Sequence, residues 1–212
     1  MQRRERRTTP SAATGAWLTH ASLGHASRRH TRVHIPPLSR CAGVGWVRQV
    51  WDLASQKCEH TLTHHTDKVQ SVAWNPAEAA VMLTGGFDKT AHLLDVRKPT
   101  STVSVTLTAD TECVAWDLGT PQRFLVATED GLVACHDARK LGQSGDAANS
   151  CVYTLSAHDK ATCAMSFNPA APQVLATAST DKTVKLWDTT SGSPTCLATE
   201  NPKVGETNQH DS

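Results

Sequence analysis

Residues 178–188 read Ala-Ser-Thr-Asp-Lys-Thr-Val-Lys-Leu-Trp-Asp, a tight turn followed by a short strand-like run that ends in Trp-Asp. His158 lies ahead of this stretch, and the stretch contains Asp181 and Asp188, which follow His158 by 23 and 30 residues. A unit of about 40 residues that ends in Trp-Asp is typical of one blade of a β-propeller. The stretch therefore predicts a blade whose third strand ends at Asp188 and is followed by an outer strand.

Two further copies keep the same offsets. An offset of 23 from His65 gives Asp88, and the same offset from Leu107 gives Asp130. Each copy divides into four short strand-like runs separated by turn residues, as expected for a four-stranded antiparallel blade. The predicted strands are 69–74, 80–84, 90–95 and 102–107 in the first copy; 113–116, 124–127, 132–137 and 151–155 in the second; 162–167, 174–177, 183–188 and a start at 196–197 in the third.

Residues 47–53 and 58–63 read as the last two strands of a further, truncated blade. In the first copy, residues 85–88 read Gly-Gly-Phe-Asp and predict the turn between the second and third strands. The predicted fold class is all-β, an incomplete propeller of about three blades plus a partial one.

Residues 178–188 resemble the repeat of the WD-repeat propeller family. The resemblance implies a buried hydrogen-bond relay in each blade, joining a histidine before the first strand, a Ser or Thr on the second, a Trp on the third and the turn aspartate. Because an unpartnered buried polar group is costly, such a relay should be kept or lost as a unit. The third copy has all four residues, His158, Thr177, Asp181 and Trp187; the first has His65, Thr84 and Asp88, with Leu94 for Trp; the second has Asp130 with Leu107, Val126 and His136.

His158, Thr177 and Asp181 also admit interpretation as a catalytic triad. The same trio recurs at the same spacing in His65, Thr84 and Asp88, and active sites are not usually built once per repeat, so we favour the architectural role. The sequence contains no phosphate-binding glycine loop and no Cys/His cluster at metal-ligand spacing. We expect no enzyme activity, no cofactor and no metal, and we expect the seven scattered cysteines to be free thiols in a reducing compartment.

A narrower resemblance is to the periodic tryptophan protein 1 family. The residues that carry it are 65–70 (His-Thr-Asp-Lys-Val-Gln), 74–76 (Trp-Asn-Pro), 88–89 (Asp-Lys), 130–131 (Asp-Gly), 137–139 (Asp-Ala-Arg) and 203–205 (Lys-Val-Gly). Members of that family are nuclear and nucleolar WD-repeat proteins tied to ribosome production and ribosomal RNA processing. The resemblance implies a scaffold that binds other proteins, such as pre-ribosome assembly factors, in the nucleus and nucleolus.

Charge divides the chain into unlike parts. Residues 1–40 hold eight Arg and one acid, which leaves 13 basic and 19 acidic side chains in residues 41–212, a net charge of −6. The mildly acidic repeats argue against a nucleic-acid face on the blades. No apolar run approaches the ~20 residues of a membrane helix, so no membrane partner is expected. We predict three parts: a disordered Arg-rich segment 1–45, WD-repeat blades 46–205 and a disordered tail 206–212.

Residues 1–45 lack strand alternation, and three interpretations stay open: an organelle transit peptide, a nuclear localisation or nucleic-acid patch, or a segment without evolved structure. A closed propeller typically needs 4–8 blades. The chain is therefore expected to be a fragment with two open blade faces, and alone it should aggregate or pair.

Loops before the first strand and between the second and third strands share one face of a propeller, and we expect partner contacts there. Phe87 is the preferred anchor, because an aromatic residue at an exposed turn suits a binding hot spot, although packing on its own blade is an equal alternative. The candidate contacts are Asp67, Lys68, Phe87, Glu129, Asp159, Lys160 and Thr180.

Two rival functions remain. A histone- or chromatin-binding WD protein is favoured if a basic peptide binds the mildly acidic face. A substrate receptor of a ubiquitin ligase is favoured by the Asp-x-Arg sequences 95–97 and 137–139, which resemble a motif that such receptors carry after the third strand.

Overall fold

The computed structural model describes residues 31–34, 48–52, 55–141 and 150–202. The predicted all-β class is confirmed: the described residues form fifteen strands and one short 3₁₀ turn, Ala138–Lys140. The strands are β1 Thr31–His34, β2 Arg48–Asp52, β3 Lys57–Leu62, β4 Val69–Trp74, β5 Val81–Gly86, β6 Thr90–Asp95, β7 Thr102–Thr106, β8 Thr111–Trp116, β9 Arg123–Thr128, β10 Leu132–Asp137, β11 Cys151–Ser156, β12 Thr162–Asn168, β13 Ala171–Ser179, β14 Val184–Asp188 and β15 Thr195–Glu200.

The strands form four antiparallel sheets, each a meander of consecutive strands. We call β4–β7 blade 1, β8–β11 blade 2 and β12–β15 blade 3, and we call the three-stranded β1–β3 the N-terminal sheet. Three four-stranded blades plus one incomplete sheet match the sequence prediction. Within the described ranges no helix is long and apolar enough to span a membrane.

Two differences from the sequence prediction concern how the strands and sheets pair and pack. Strand β1 (Thr31–His34) lies inside the segment 1–45, where no strand was predicted; its backbone pairs with β2, Thr31 opposite Asp52. A strand in this place supplies ladder partners to one edge of β2, which would otherwise present unpaired backbone groups. The rest of that segment, and the tail 206–212, lie outside the described residues.

The second difference is that Gly85 and Gly86, predicted in a turn, are the last two residues of β5. Gly86 pairs with Val69 and Gly85 pairs with Ser71. Gly85 faces blade 2 closely: a Cβ there would lie 2.3 Å from Cγ2 of Thr111. Gly85 therefore marks a close approach of two sheets, whereas a Cβ on Gly86 would meet His65 and Lys68 of its own blade.

The core lies between the sheets, because alternate side chains of a strand point to opposite faces and both faces of blades 1 and 2 pack on a neighbouring sheet. Val50 and Leu62 of the N-terminal sheet pack on Met82 and Leu94 of blade 1. The blade 1–blade 2 cluster contains Leu83, Ala91, Val105, Val114, Trp116, Phe124 and Val126, and the blade 2–blade 3 cluster contains Leu125, Ala127, Val133, Cys135, Ala157, Phe167, Leu175 and Trp187.

Hydrogen bonds also cross from blade 1 to blade 2. The indole N–H of Trp116 donates to the carbonyl of Ala73 over 3.2 Å. At one end of the blades, the side-chain amide of Asn75 donates to the carbonyl of Pro121 over 3.0 Å. These bonds fix the angle between neighbouring sheets beyond what apolar contact alone determines.

A repeated feature of the outer strands was not predicted. In the N-terminal sheet, blade 2 and blade 3, the pairing between the last two strands shifts register at Trp51, His136 and Trp187, respectively. A cysteine lies opposite each of these three residues. Blade 1, with Leu94 at this position, pairs it with Thr102 and shows no shift. These cysteines are Cys58, Cys151 and Cys196, and they are among six free cysteines in the part of the chain that the structure describes.

Gly85→Ala should destabilise the chain by about 1–3 kcal/mol or more, because the added methyl overpacks the blade 1–blade 2 interface against Thr111. Gly192→Ala is the matched control, since a Cβ there meets nothing within 4 Å. Urea unfolding followed by tryptophan fluorescence measures both. Equal stability of the two variants would contradict the close approach at Gly85.

Candidate protein-interaction face

The relay of blade 3 is a continuous chain of four side chains. The Trp187 indole N–H donates to Oγ1 of Thr177 over 2.9 Å, and that hydroxyl lies 2.8 Å from Nε2 of His158. Nδ1 of His158 lies 2.9 Å from the carboxylate of Asp181. Because a carboxylate only accepts, Nδ1 carries the proton and Nε2 accepts from Thr177. Each of the four side chains thus has a hydrogen-bond partner within the relay.

Blade 1 keeps the part of the relay nearest the loops. Nδ1 of His65 lies 2.9 Å from each carboxylate oxygen of Asp88, and Nε2 lies 3.0 Å from Oγ1 of Thr84. Leu94 replaces the Trp, so no indole reaches Thr84, whose hydroxyl is also 3.3 Å from the carbonyl of His92. The loop half of the relay thus forms without the Trp.

Burial alone would raise the pKa of Asp88, but bonds from Thr90, the Thr66 N–H and His65 outweigh it and lower that pKa. The pKa of Asp181 is also well below the usual range. Burial alone would raise this pKa, but the hydrogen bonds from Thr183 and His158 lower it by more. Both aspartates are therefore charged at neutral pH and act as fixed acceptors for the loops around them.

Blade 2 replaces the relay with a different set of bonds. Thr128 stands where blade 1 has Gly86, and its hydroxyl donates to Asp130. A Cβ on Gly86 would lie 2.7 Å from Nδ1 of His65, whereas blade 2 has Leu107 at the histidine position. Thr128 therefore gives the turn aspartate a partner in place of the missing histidine.

His136 takes the place of the Trp in blade 2 and bonds through Nδ1 to the hydroxyl of Ser150 over 3.0 Å. Its ring stacks on Phe124, with centroids 5.5 Å apart. The ring is 4% exposed, and burial lowers the pKa of His136 to about 4. His136 is thus a neutral core residue at neutral pH.

One cluster has the composition of a metal site. Ligand atoms of His65, Asp88 and His92 lie within 4.8 Å of one another. However, both ring nitrogens of His65 are already engaged, by Asp88 and by Thr84. The cluster therefore has the chemistry of a hydrogen-bonded core rather than of an open ligand set.

The relay positions the predicted contact residues on one face of the blades. The Thr66 N–H donates to Asp88 over 2.9 Å, which ties the loop before β4 to the turn after β5. In that loop Asp67 and Lys68 are exposed. Phe87 is half-buried, and the Lys68 amine lies 5.7 Å from its ring centroid. Lys68 and Phe87 thus form one compact surface feature, with the aromatic ring partly beneath the amine.

The remaining predicted contacts lie in the equivalent loops of blades 2 and 3, where Glu129, Asp159, Lys160 and Thr180 are exposed. The N–H of Glu129 donates to the carbonyl of Asp110, and the N–H of Thr180 donates to the carbonyl of Ala161. Each turn is therefore held to the preceding loop of its own blade, as in blade 1.

The structure adds Glu112, which the sequence analysis missed. Burial, with the charges of Glu129 and Asp110, raises the pKa of Glu112, and its carboxylate accepts from the Gln70 amide over 3.4 Å. Glu112 is the second residue of β8, and the equivalent residues of β4 and β12 are Gln70 and Cys163. Comparison of this position between repeats could have pointed to Glu112. The junction of blades 1 and 2 thus carries an acidic patch formed by Glu112, Asp110 and Glu129.

Consecutive four-stranded meanders, each with an aspartate-anchored turn and two with the histidine relay, define a propeller of WD-type repeats. A family model described as EIPR1 beta-propeller matches residues 49–187, more than half of the chain, and the chain belongs to this family.

Curated relatives are consistent with the WD-repeat class. An uncharacterized WD repeat-containing protein of Schizosaccharomyces pombe is 39% identical over 48% of this chain and 18% of its own length. The periodic tryptophan protein 1 homolog of Drosophila melanogaster is 28% identical over 66% of this chain and 30% of its own. Periodic tryptophan protein 1 of Saccharomyces cerevisiae is 29% identical over 82% of this chain and 30% of its own. The chain thus spans less than a third of the length of these relatives.

Thr177→Val should destabilise the chain more than Thr84→Val. Both threonines are buried, but loss of Thr177 leaves two side chains, His158 and Trp187, without their partner, whereas loss of Thr84 leaves one. Each unsatisfied buried group costs about 1–3 kcal/mol. Urea unfolding at pH 7 compares the variants, and an equal or reversed order would show that the Trp does not strengthen the relay.

The stability of the chain should fall as pH is lowered from about 6.5 towards 4, in part through His136. Its folded pKa lies below the unfolded value, so the unfolded state binds the proton first and folding loses about 1.4 kcal/mol per pH unit in this window. His136→Leu, which copies Leu94 of blade 1, should remove this part of the slope. Urea unfolding at pH 7, 6 and 5 gives both slopes, and parallel slopes would contradict a depressed pKa.

Proposed function

We propose that this protein is a protein-interaction scaffold in ribosome biogenesis and ribosomal RNA processing, located in the nucleus and nucleolus, with pre-ribosome assembly factors as partners. Support comes from the resemblance of residues 65–70, 74–76 and 137–139 to the periodic tryptophan protein 1 family and from the relatives of that name. The partner would contact Asp67, Lys68, Phe87, Glu129, Asp159, Lys160 and Thr180.

The observation that carries the binding role is the tie between the relay and the loops. Asp88 accepts from the Thr66 N–H and from His65, so the backbone on either side of Lys68 and Phe87 is fixed before any partner arrives. Binding to a preorganised surface loses less conformational entropy. The half-buried ring of Phe87 under an exposed amine offers apolar area and a positive charge at one point.

The acidic patch gives the chromatin-binding alternative a specific basis. Burial, together with the nearby charges of Glu129 and Asp110, raises the pKa of Glu112. A basic peptide, such as a histone tail, would relieve this repulsion. Binding of such a peptide, lost in Glu112→Gln, would favour this alternative.

The ligase-receptor alternative rests on the Asp-x-Arg pairs. The guanidinium of Arg97 bonds Asp95 and that of Arg139 bonds Asp137, and both arginine side chains are 68% exposed. They occupy the end of the blades opposite the relay loops. Recovery of a ligase adaptor with the native protein would favour this function.

Depletion of the native gene product should cause ribosomal RNA precursors to accumulate, as seen on a blot, and re-expression should reverse this. Re-expression with Lys68→Glu should rescue less well, because the substitution reverses the charge over Phe87. Lys140→Glu, an exposed lysine in the turn after β10, is the control. Unchanged precursors after depletion would reject the ribosome role; equal rescue by both variants would reject the Lys68–Phe87 contact.

A further inference from the structure

Blade 2 differs from both other blades at three positions in or beside the turn between β8 and β9, at the end of the blades opposite the relay loops. The three are Asp117 in place of Asn75 and Asn168, Leu118 in place of Pro76 and Pro169, and Arg123 in place of Val81 and Val174. Each change puts a charge or an exposed apolar side chain where the repeat has a neutral amide, a turn proline or a small apolar residue. The changes therefore do not serve the packing that the other blades share.

Asn75 of blade 1 shows what the first of these positions does in the repeat. Its side-chain oxygen accepts from the N–H groups of Ala77 and Glu78, over 2.8 and 2.9 Å. Its side-chain amide donates to the carbonyl of Pro121 in blade 2 over 3.0 Å. One carboxamide thus holds its own turn and also bonds to the next blade.

Asp117 keeps only the first of these two roles. Its Oδ1 accepts from the N–H groups of Gly119 and Thr120, and within the described ranges no hydrogen bond reaches its second oxygen. Pro172 of blade 3 is the repeat equivalent of Pro121. Its carbonyl oxygen lies 3.9 Å from the point that a Cβ on Gly119 would occupy, and Oδ1 of Asp117 lies 3.4 Å from the same point. Because a carboxylate only accepts, the junction of blades 2 and 3 has two acceptors and lacks the donor that joins blades 1 and 2.

Arg123 adds a donor close by. The Asp117 N–H donates to the Arg123 carbonyl over 3.0 Å, so the two residues are neighbours across the turn. Nε of Arg123 is buried without a hydrogen-bond partner among the described residues, and its guanidinium forms no salt bridge there. Burial raises the pKa of Cys135 to about 12, while the charge of Arg123 lowers that pKa and the charge of Asp117 raises it. Both charges therefore act on the same space between blades 2 and 3.

We propose that this junction, formed by Asp117, Leu118, Arg123 and Pro172, binds the side-chain carboxamide of a glutamine or asparagine from a partner protein. The NH₂ group would donate to the second oxygen of Asp117 and to the Pro172 carbonyl, as the Asn75 amide donates to the equivalent carbonyl in blade 2. The amide oxygen would accept from the Arg123 guanidinium. Leu118 is 37% exposed beside these groups and offers apolar surface to the methylene stem of the side chain.

The charges of the site select a neutral ligand. An ammonium group would suit Asp117 but would be repelled by Arg123, and a carboxylate would suit Arg123 but would be repelled by Asp117. A carboxamide carries no charge and has both N–H donors and an acceptor oxygen. It therefore complements the two acceptors and the guanidinium together.

Binding can be measured on the full chain with N-acetylglutamine methylamide as the probe. The NMR signals of the Gly119 and Thr120 amides report on the site, because these groups donate to Asp117. The probe should shift both signals saturably, whereas N-acetylglutamate methylamide, which has nearly the same shape but no side-chain N–H, should not. Asp117→Asn should weaken binding by about tenfold or more, because its own amide then takes the place of the ligand. Arg123→Val, which restores the repeat residue, should also weaken binding.

Stability gives an independent measurement of the missing donor. Asp117→Asn should raise the urea midpoint of the chain, because it restores a bond between blades 2 and 3. Asn75→Asp should lower the midpoint, because it removes the existing bond to Pro121. Asn168→Asp is the matched control: Asn168 is exposed, so this variant should change neither the midpoint nor binding of the glutamine probe.

Four results would overturn the proposal. Equal binding of the glutamine and glutamate probes, or wild-type binding by Asp117→Asn, would show that the carboxamide is not recognised. Tighter binding of N-acetyllysine methylamide would assign a cationic ligand instead. Acetamide bound as tightly as the glutamine probe would show that no side-chain stem is read at Leu118. These results do not depend on the proposed ribosome role, because that role was placed on the loops at the other end of the blades.

Discussion

Everything in this structure depends on burying both faces of every sheet against its neighbours. A four-stranded meander has no core of its own, and stability comes from the clusters between sheets. The alternation in β5 shows how: Met82 packs on the N-terminal sheet, while Leu83, the next residue, packs on blade 2. One strand thus serves two interfaces, and a sheet at the end of the series has only half of its contacts.

The relay solves a second problem, which is how to hold loops at the rim of such thin sheets. In blades 1 and 3 a histidine connects a strand threonine to the turn aspartate. In blade 2 the same aspartate is held by Thr128. Retention of Asp130 with a new partner indicates that the turn geometry, rather than the histidine itself, is what each blade requires.

The strands and the relay could be predicted from sequence because they depend on spacing within one repeat. Strands β4, β6 and β10 have the predicted bounds, and the four relay residues of blade 3 lie in hydrogen-bond contact. Features that depend on a neighbouring sheet were missed. Gly85 has no room for a Cβ because Thr111 of the next blade approaches it, and Glu112 is notable only through its burial and the charges on adjoining loops. No pattern inside one repeat encodes these distances.

The separation of stability from recognition follows from the same geometry. His158, Thr177 and Trp187 are buried and bond to one another, so these hydrogen bonds are made within the blade. What reaches solvent is the loop backbone that they fix, together with Lys68, part of Phe87 and exposed acidic residues such as Asp67 and Glu129. Recognition can therefore diverge by substitution in these loops while Asp88, Asp130 and Asp181 hold each turn in place. A surface of this kind sets specificity by its loops and rigidity by its repeats.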